Sequence, residues 1–467
     1  MIRSILSGIL VFACWSISFA EVLTVGPGGD FSSLQAALNV AVSNGENDEI
    51  RIRSGQFQTS ATATHAEDFS LEITGGWNET FSQGVLDPGA TVLTGTQAAR
   101  VLALDITEGD VLIRYLRIAD GLATDGAGAD VILRNQASFE LADCEVIGNT
   151  ASSVSVASGG GVRVTVDGFT LGSTNRAEAE IDRCLFVNNR ALAADASGGG
   201  LAVNSIRGAF TGNRLEFFNN IAEGASEARG GAVVVDFNDS DAEVEFTRLT
   251  VRNNRIESDA SAAGAGMHLQ GSSTTSGPFV RLEGADFARN ILDGSAPSAA
   301  QLEIEPLSGS FRLRSVAAVD GVGSSGVRID ARGSAQVFGV NITAAGNDLD
   351  GILQEDGTSN TLSQANVIAF ANGGADLVLG DDGDGSVLSV TNLTGVDPGV
   401  IDAVGGNYRL QTGSSAIDSC SPSPLGGIGT LDADFGARVV NGQIDCGAYE
   451  WSADLEDTLF SDSFETS

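Results

Sequence analysis

Apolar residues in this chain recur at alternate positions over short stretches, as at Val162, Val164 and Val166, and again at Val233, Val235 and Phe237. A period of two is that of a strand with one buried face. From Cys144 to about Asn290 one phrase is written several times. A short apolar strand ends in asparagine, a loop of small residues follows, and glycines open the next strand. The copies are Cys144-Glu-Val-Ile-Gly-Asn149, Cys184-Leu-Phe-Val-Asn-Asn189, Leu215-Glu-Phe-Phe-Asn-Asn220, Leu249-Thr-Val-Arg-Asn-Asn254 and Ala285-Asp-Phe-Ala-Arg-Asn290. Between them stand Gly159-Gly-Gly-Val162, Gly198-Gly-Gly-Leu201 and Gly230-Gly-Ala-Val233, with a weaker echo at Gly264-Ala-Gly-Met267. The asparagines at 149, 189, 220, 254 and 290 step by 40, 31, 34 and 36 residues. Units of this length made of short strands cannot bury an apolar face alone and must stack. The pattern predicts an all-β chain wound as a right-handed, single-stranded parallel β-helix, a solenoid whose extra residues loop out between strands. The repeated asparagines, Asn149, Asn189, Asn220, Asn254 and Asn290, are expected to form a structural turn ladder, each amide bonding backbone in the neighbouring coil.

An open solenoid end exposes core and unpaired strand edges, so a cap is expected. Residues 32–42 supply one: Leu34, Ala37, Leu38 and Ala41 fall on one helical face behind a serine N-cap. Further coils are expected over 101–143 and from 311 onward, less regular than the central ones.

Length and composition fit one elongated body: 467 residues, 60 glycines and 42% hydrophobic content. The formal charge of −36 becomes −37 for a chain starting at Glu21, since Arg3 is the one charge removed. Such a charge makes nucleic acid and anionic membranes poor partners. All 25 basic residues are arginine, which excludes Schiff-base chemistry and a phosphate-loop lysine. Residues 1–20 read as a secretory signal: Arg3, an apolar stretch from Ile5 to Cys14, and Ser18-Phe-Ala20 as cleavage site. A rival reading takes Val11-Phe-Ala-Cys14 as a lipidation box. No stretch of the mature chain is long and apolar enough for a transmembrane segment. In an exported protein Cys420 and Cys446 are expected to pair, whereas Cys144 and Cys184 occupy equivalent places in successive coils and read as stacked buried thiols, with a bond between them left open.

The run Val25-Gly-Pro-Gly-Gly-Asp-Phe-Ser-Ser-Leu-Gln-Ala-Ala-Leu38, continued through Ile50-Arg-Ile-Arg-Ser-Gly-Gln-Phe57, resembles the first coils of pectin-lyase-like β-helix proteins. Ser389-Val-Thr-Asn-Leu-Thr-Gly-Val-Asp-Pro398, Asn407-Tyr-Arg-Leu-Gln-Thr-Gly-Ser-Ser-Ala-Ile-Asp418 and Asp445-Cys-Gly-Ala-Tyr-Glu450 resemble the choice-of-anchor Q segment that closes many exported bacterial β-helices. Ser415 stands where that family often has proline. The tail from Leu455 is similar to short sorting endings on exported proteins of Gram-negative bacteria; a frayed acidic tail is the alternative. The resemblances imply a signal at 1–20, a β-helix with its cap over 21–388, an anchor-Q-like segment over 389–451 and an acidic tail over 452–467. They also imply export to the extracellular space or outer surface of a Gram-negative bacterium.

The fold hosts pectate lyases and polygalacturonases, but the Gly-His-Gly, Asn-Thr-Asp and Arg-Ile-Lys runs of the latter are absent, as are the Trp-Ile-Asp-His and Arg-x-Pro-x-x-Arg runs of the former. His65 in a polar loop and His268 have no partner visible in the sequence and are expected to be solvated or incidental. Asp348 and Asp350 read as a polar turn, with a carboxylate pair on one strand face as the alternative. Trp77 and Trp451 are expected to pack the ends. Asp381, Asp382 and Asp384, within Gly380-Asp-Asp-Gly-Asp-Gly-Ser386, form the one candidate calcium cluster, without the glutamate that would complete an EF-hand. No catalytic residue and no other cofactor is expected. The sequence favours a non-catalytic structural or adhesion protein that meets an unidentified surface or extracellular partner, a glycan or a protein. A carbohydrate-active enzyme with an unrecognised carboxylate site is the rival.

Overall fold

The computed structural model describes residues 21–452, apart from Gln97 and the segments 169–175, 238–241, 272–276, 295–298, 357–359 and 381–385. The expected signal at 1–20 with Cys14, the aspartates at 381, 382 and 384, and the tail from 453 lie outside the described residues.

The chain winds as a parallel β-helix with three walls. One coil runs through Val162–Asp167 on the first wall and Ala177–Asp182 and Leu185–Val187 on the second. It continues through Arg190–Ser197 on the third, and Leu201–Phe218 then opens the next coil. Every wall pairs in parallel with its neighbour a coil away, as in Val162↔Leu201, Leu185↔Glu216 and Arg190↔Ile221. The corners are left-handed residues. Arg183, Arg214 and Arg248 bend the second wall at φ 52, 53 and 57°, and Asn188, Asn219 and Asn253 turn it into the third at 55–56°. In the double-asparagine phrase the first asparagine therefore makes the turn, a conformation its short polar side chain tolerates, and the second faces inward. The third corner is glycine because the coils touch there. A Cβ on Gly199 would lie 2.3 Å from the Gly231 carbonyl oxygen.

Inside the second corner the amides form a continuous chain of hydrogen bonds. Asn149 Nδ2 donates to Asn189 Oδ1 at 3.0 Å, Asn189 to Asn220 at 3.0 Å, Asn220 to Asn254 at 2.9 Å and Asn254 to Asn290 at 3.1 Å. Each Oδ1 also accepts the backbone N–H of the preceding asparagine, and each Nδ2 also donates to a carbonyl of the preceding coil, such as Phe186 for Asn220. All five residues are buried. In the next coil the equivalent place is Gly321, and the chain is continued by Gln301, whose longer side chain comes from the first wall. Its Oε1 accepts from Asn290 Nδ2 at 3.1 Å and its Nε2 donates to Asn347 Oδ1 at 2.7 Å. A Cβ on Gly321 would stand 3.0 Å from Gln301 Cγ, so the glycine makes room for the glutamine. Asn372 and Asp376 extend the chain further.

The apolar core stacks in the same register, with the Phe186 and Phe217 rings 4.6 Å apart and nearly parallel. Cys144 and Cys184 are both buried and unbonded, and burial pushes the Cys184 thiol well up. At the first end, helix Leu34–Ala41 begins after Ser33, whose Oγ accepts from Ala36 N–H, and buries the four residues expected of it. It starts two residues later than the sequence pattern suggests. Gln35 also mimics a strand, bonding both the N–H and the carbonyl of Thr62 and so covering an edge. Trp77 lies at this end under Arg51, whose guanidinium is 4.1 Å from the ring centre. No helix among the described residues is long and apolar enough to cross a membrane.

The C-terminal segment folds back along the outside of the second wall. Within it Val400–Asp402 pairs antiparallel with Asn407–Leu410, and single antiparallel bridges join Leu431 to Ala437 and Val440 to Gln443. Glu283 accepts from Thr430 N–H and Oγ1 and from Leu431 N–H, Tyr408 donates to Asp320 at 2.5 Å, and Ala448 N–H donates to Thr343 Oγ1 at 2.9 Å. Ala317, Val319, Ala345 and Phe370 on the wall form a separate apolar cluster with Tyr408, Leu410 and Tyr449 of this strap, and Trp451 packs against it. A disulfide joins Cys420 to Cys446. Arg438, which donates to the carbonyl of Asp445 beside Cys446, is fully buried, 3.6 Å from Glu450, with Asp432 close by. Burial outweighs the attraction of Arg438 and pushes the Glu450 carboxyl up to about 8.

Two outcomes are expected. Asn220→Ala removes the acceptor of the Asn189 N–H and of one of its two Nδ2 hydrogens, the other staying on the Val146 carbonyl. At about 1–3 kcal/mol for each buried unpaired hydrogen, the denaturant midpoint falls by the equivalent of at least about 2 kcal/mol. Glu450 keeps its proton in the folded chain between pH 4.5 and about 8, where the unfolded chain has released it. Its contribution is therefore complete below pH 4.5 and is lost as pH rises through 8. Melting curves from pH 5 to 9 are expected to decline more steeply in the native protein than in Glu450→Gln.

Candidate functional site

The third wall departs from a plain solenoid. In successive coils its strand runs out, turns sharply and returns. Thr150–Ser152 and Val156–Ser158 both pair with Arg190–Ser197, whose register with Ile221–Arg229 shifts between Ala193 and Asp195. The two arms close through alanines, with Ala151, Ala157, Ala191, Ala196, Ala222 and Ala228 forming a second core. Small side chains allow that approach, and the result is a thin fin beside the first wall.

Where the returning arm meets the first wall there is a hollow of about 150 Å³. It is lined by Glu227 and Ala260–Ala263 on the fin and by His268, Gln270, Glu303, Glu305 and Arg328 on the wall. Strand register assembles the wall residues. His268 stands beside Glu303 and Gln270 beside Glu305, while Arg328 follows Glu303 in the next coil. Glu303 is fully buried: one oxygen meets Arg328 Nη1 at 3.0 Å and the other accepts Gly264 N–H at 3.0 Å. Arg328 also reaches Glu355 at 2.9 Å. Glu305 accepts from Gln270 Nε2 at 3.4 Å. Burial pushes the Glu303 carboxyl up, whereas the His268 ring beside it holds Glu305 below the usual carboxylate range. His268 is 1% exposed, and neither ring nitrogen has a hydrogen-bond partner among the described residues; its nearest ionic neighbour is Glu305 Oε1, 3.8 Å from Nε2.

Two other hollows lack such unpaired groups. One, of about 220 Å³ on the second wall, is lined by Glu140, Glu178, Glu180, Glu243 and Glu245 with Arg176. The other, of about 490 Å³, lies between the capping helix and the first wall, around Asn39, Thr62, Arg100 and Asp130.

No protein-family model and no curated protein matches the chain. Among solved structures it is similar to the pectin methylesterase from Aspergillus niger in deglycosylated form, at 13% identity and a TM-score of 0.29, over 85% of this chain and 93% of that one. A likeness at that TM-score carries no argument about activity, and the β-helix is read from the coils' own pairing.

Two sequence expectations are corrected. His65 is not in a solvated loop. It ends strand Ala61–His65, is buried, and its Nε2 lies 2.8 Å from the Phe69 carbonyl oxygen. His268 is likewise buried, and it does have named neighbours. Asp348 and Asp350 lie in a turn, where they accept the Gly323 and Ala375 backbone N–H groups from the adjacent coils. Among the described residues no group of three or more histidines, cysteines and carboxylates is placed to hold a metal ion. Glu303, Glu305, Gln270 and Arg328 were missed. The alternation in Gln301-Leu-Glu-Ile-Glu305 marks both glutamates as outward, but only register brings them to His268.

The two glutamates are expected to separate in stability measurements. Glu303→Ala leaves Arg328 and the Gly264 N–H short of a buried partner and costs about 3 kcal/mol, whereas Glu305→Gln changes stability by less than about 0.5 kcal/mol. Chemical denaturation of both variants checks this.

Proposed function

We propose that the protein is an exported rod, held at or released from the outer surface of a Gram-negative bacterium, which binds a partner through its walls without transforming it. The observation that carries this reading is how wall charge is used. Arginines answer carboxylates in the adjacent coil, as in Arg117–Glu145, Arg163–Asp130 and Arg281–Glu245 at 2.5–2.8 Å. Among the described residues the pairs leave separate hollows; the one that gathers five glutamates with Arg176 is also lined by Phe139 and Phe210, but both rings are buried in the core and offer no face to a sugar. Export is supported by the signal-like residues 1–20 and by the Cys420–Cys446 disulfide, a bond suited to an oxidising compartment. The anchor-Q reading of 389–451 rests on the quoted phrases, and calcium at Asp381, Asp382 and Asp384 rests on composition alone.

A second reading, a carbohydrate-active enzyme, is favoured by one observation. Glu303 and Glu305 project from the same face of one strand, and their surroundings push their protonation in opposite directions, as an acid and its partner base require. A depolymerisation screen over anionic and neutral polysaccharides, with and without calcium, separates the two. The binding rod predicts no new reducing ends and no unsaturated products. Turnover abolished by Glu305→Gln would establish the enzyme.

A further inference from the structure

We infer that the hollow between the fin and the first wall is a binding site for a primary ammonium group carried on an amino sugar. This deepens the binding-rod reading and rests on it.

Charge sets the ligand's sign. Of the three carboxylates that face the hollow, Glu303 is answered by Arg328 at 3.0 Å and Glu227 by Arg229 at 3.7 Å, whereas Glu305 meets only His268 and the Gln270 amide across the hollow. The occupant is therefore a cation. The unpaired histidine sets its hydrogen bonding. His268 is buried with both nitrogens unpartnered among the described residues, which a native structure rarely tolerates in an empty site. Its Nε2 and Glu305 Oε1 are 3.8 Å apart. A single donor atom about 2.8 Å from each would see them at an angle of about 85°, within the range that the tetrahedral hydrogens of an ammonium serve with modest bending. Without a ligand Nε2 faces Glu305 as a donor; with an ammonium between them the ring takes the Nδ1–H tautomer and the Nε2 lone pair accepts from that group.

Shape selects the carrier. A lysine side chain needs a narrow apolar channel for its methylenes, whereas this hollow is short and mostly polar. Its volume of about 150 Å³ is that of one saccharide ring. Ala260–Ala263 offers a small shelf for a ring face, and Ser261 on it and the second Nε2 hydrogen of Gln270 are the partners for flanking hydroxyls. The formal charge of −36 draws polycationic glycan to the rod at low ionic strength.

The test is calorimetric titration of the full chain with a glucosamine tetramer, its fully N-acetylated counterpart and a lysine-containing peptide. Wild type, Glu305→Gln, His268→Phe and, as a control on the far arm of the fin, Glu257→Gln are compared, with melting temperatures taken in parallel. The glucosamine tetramer is expected to bind the wild type and the control alike, at least tenfold more weakly to Glu305→Gln and His268→Phe at unchanged melting temperature, and the N-acetylated tetramer not at all. Equal binding of the acetylated tetramer, no effect of Glu305→Gln, or no binding would overturn the inference. Tighter binding of the lysine peptide would overturn the sugar and assign the hollow to a protein partner. Cleavage of the tetramer during titration would instead sink the binding-rod reading. Adhesion of the chain to another glycan, untouched by Glu305→Gln, would keep that reading and remove the hollow from it.

Discussion

A buried amide has two acceptor lone pairs and two donor hydrogens, and nothing apolar can satisfy them. That requirement is what the coils of this protein are built around. Each asparagine of the ladder closes the account of its neighbours as well as its own, so every coil must bring an amide to the same corner at the same height. Apolar stacking then follows in register, with Phe186 over Phe217 as one result. The other corners are freer. The 40-residue step between Asn149 and Asn189 and the 31-residue step that follows differ in what lies away from the ladder. Where an asparagine is missing the requirement persists, and Gln301 meets it from the opposite wall.

Charge plays a different part. Cross-coil pairs of arginine and carboxylate at the surface are worth only about 0–1 kcal/mol each, so they mainly discourage slipped registers, in which like charges would face one another. Buried charges are costlier, among them Glu303 under the fin, Glu283 where the strap is fastened, and Arg438 with Glu450 in the strap itself. Glu283 holds together parts of the chain 147 residues apart, Glu303 ties adjacent coils, and Arg438 with Glu450 fixes the end of the strap, each through groups that cannot be left unpaired.

The central coils were legible because their constraints repeat. An inward asparagine, a close-packed glycine and alternating valines are demanded in every turn, and the chain spells them each time. The ladder beyond Asn290 was not, because Gln301, Asn347 and Asn372 satisfy the same geometry outside the phrase. The histidines were misread for a related reason: a lone polar residue gives no sign in sequence of which strand it will stack on, and variable steps hide that His268 will lie against Glu303. Cys420 and Cys446 were legible as a pair by their shared segment, although the route of that segment along the second wall was not. Asp348 and Asp350 were read from their turn composition, and their bonds to backbone are those a turn would make.

The strap also decides how the rod carries load. Its fastenings, Glu283 to Thr430, Asp320 to Tyr408 and Thr343 to Ala448, are spread over several coils. A pull on the chain beyond Ser452 enters the side of the rod near Thr343. It does not reach the last coil first. The fastenings lie along a wall and are loaded together in shear, whereas an end coil would be peeled one hydrogen bond at a time. Tension from that end is thus shared among coils that the amide ladder already ties to one another, and a rod held by its tail resists drag as a whole.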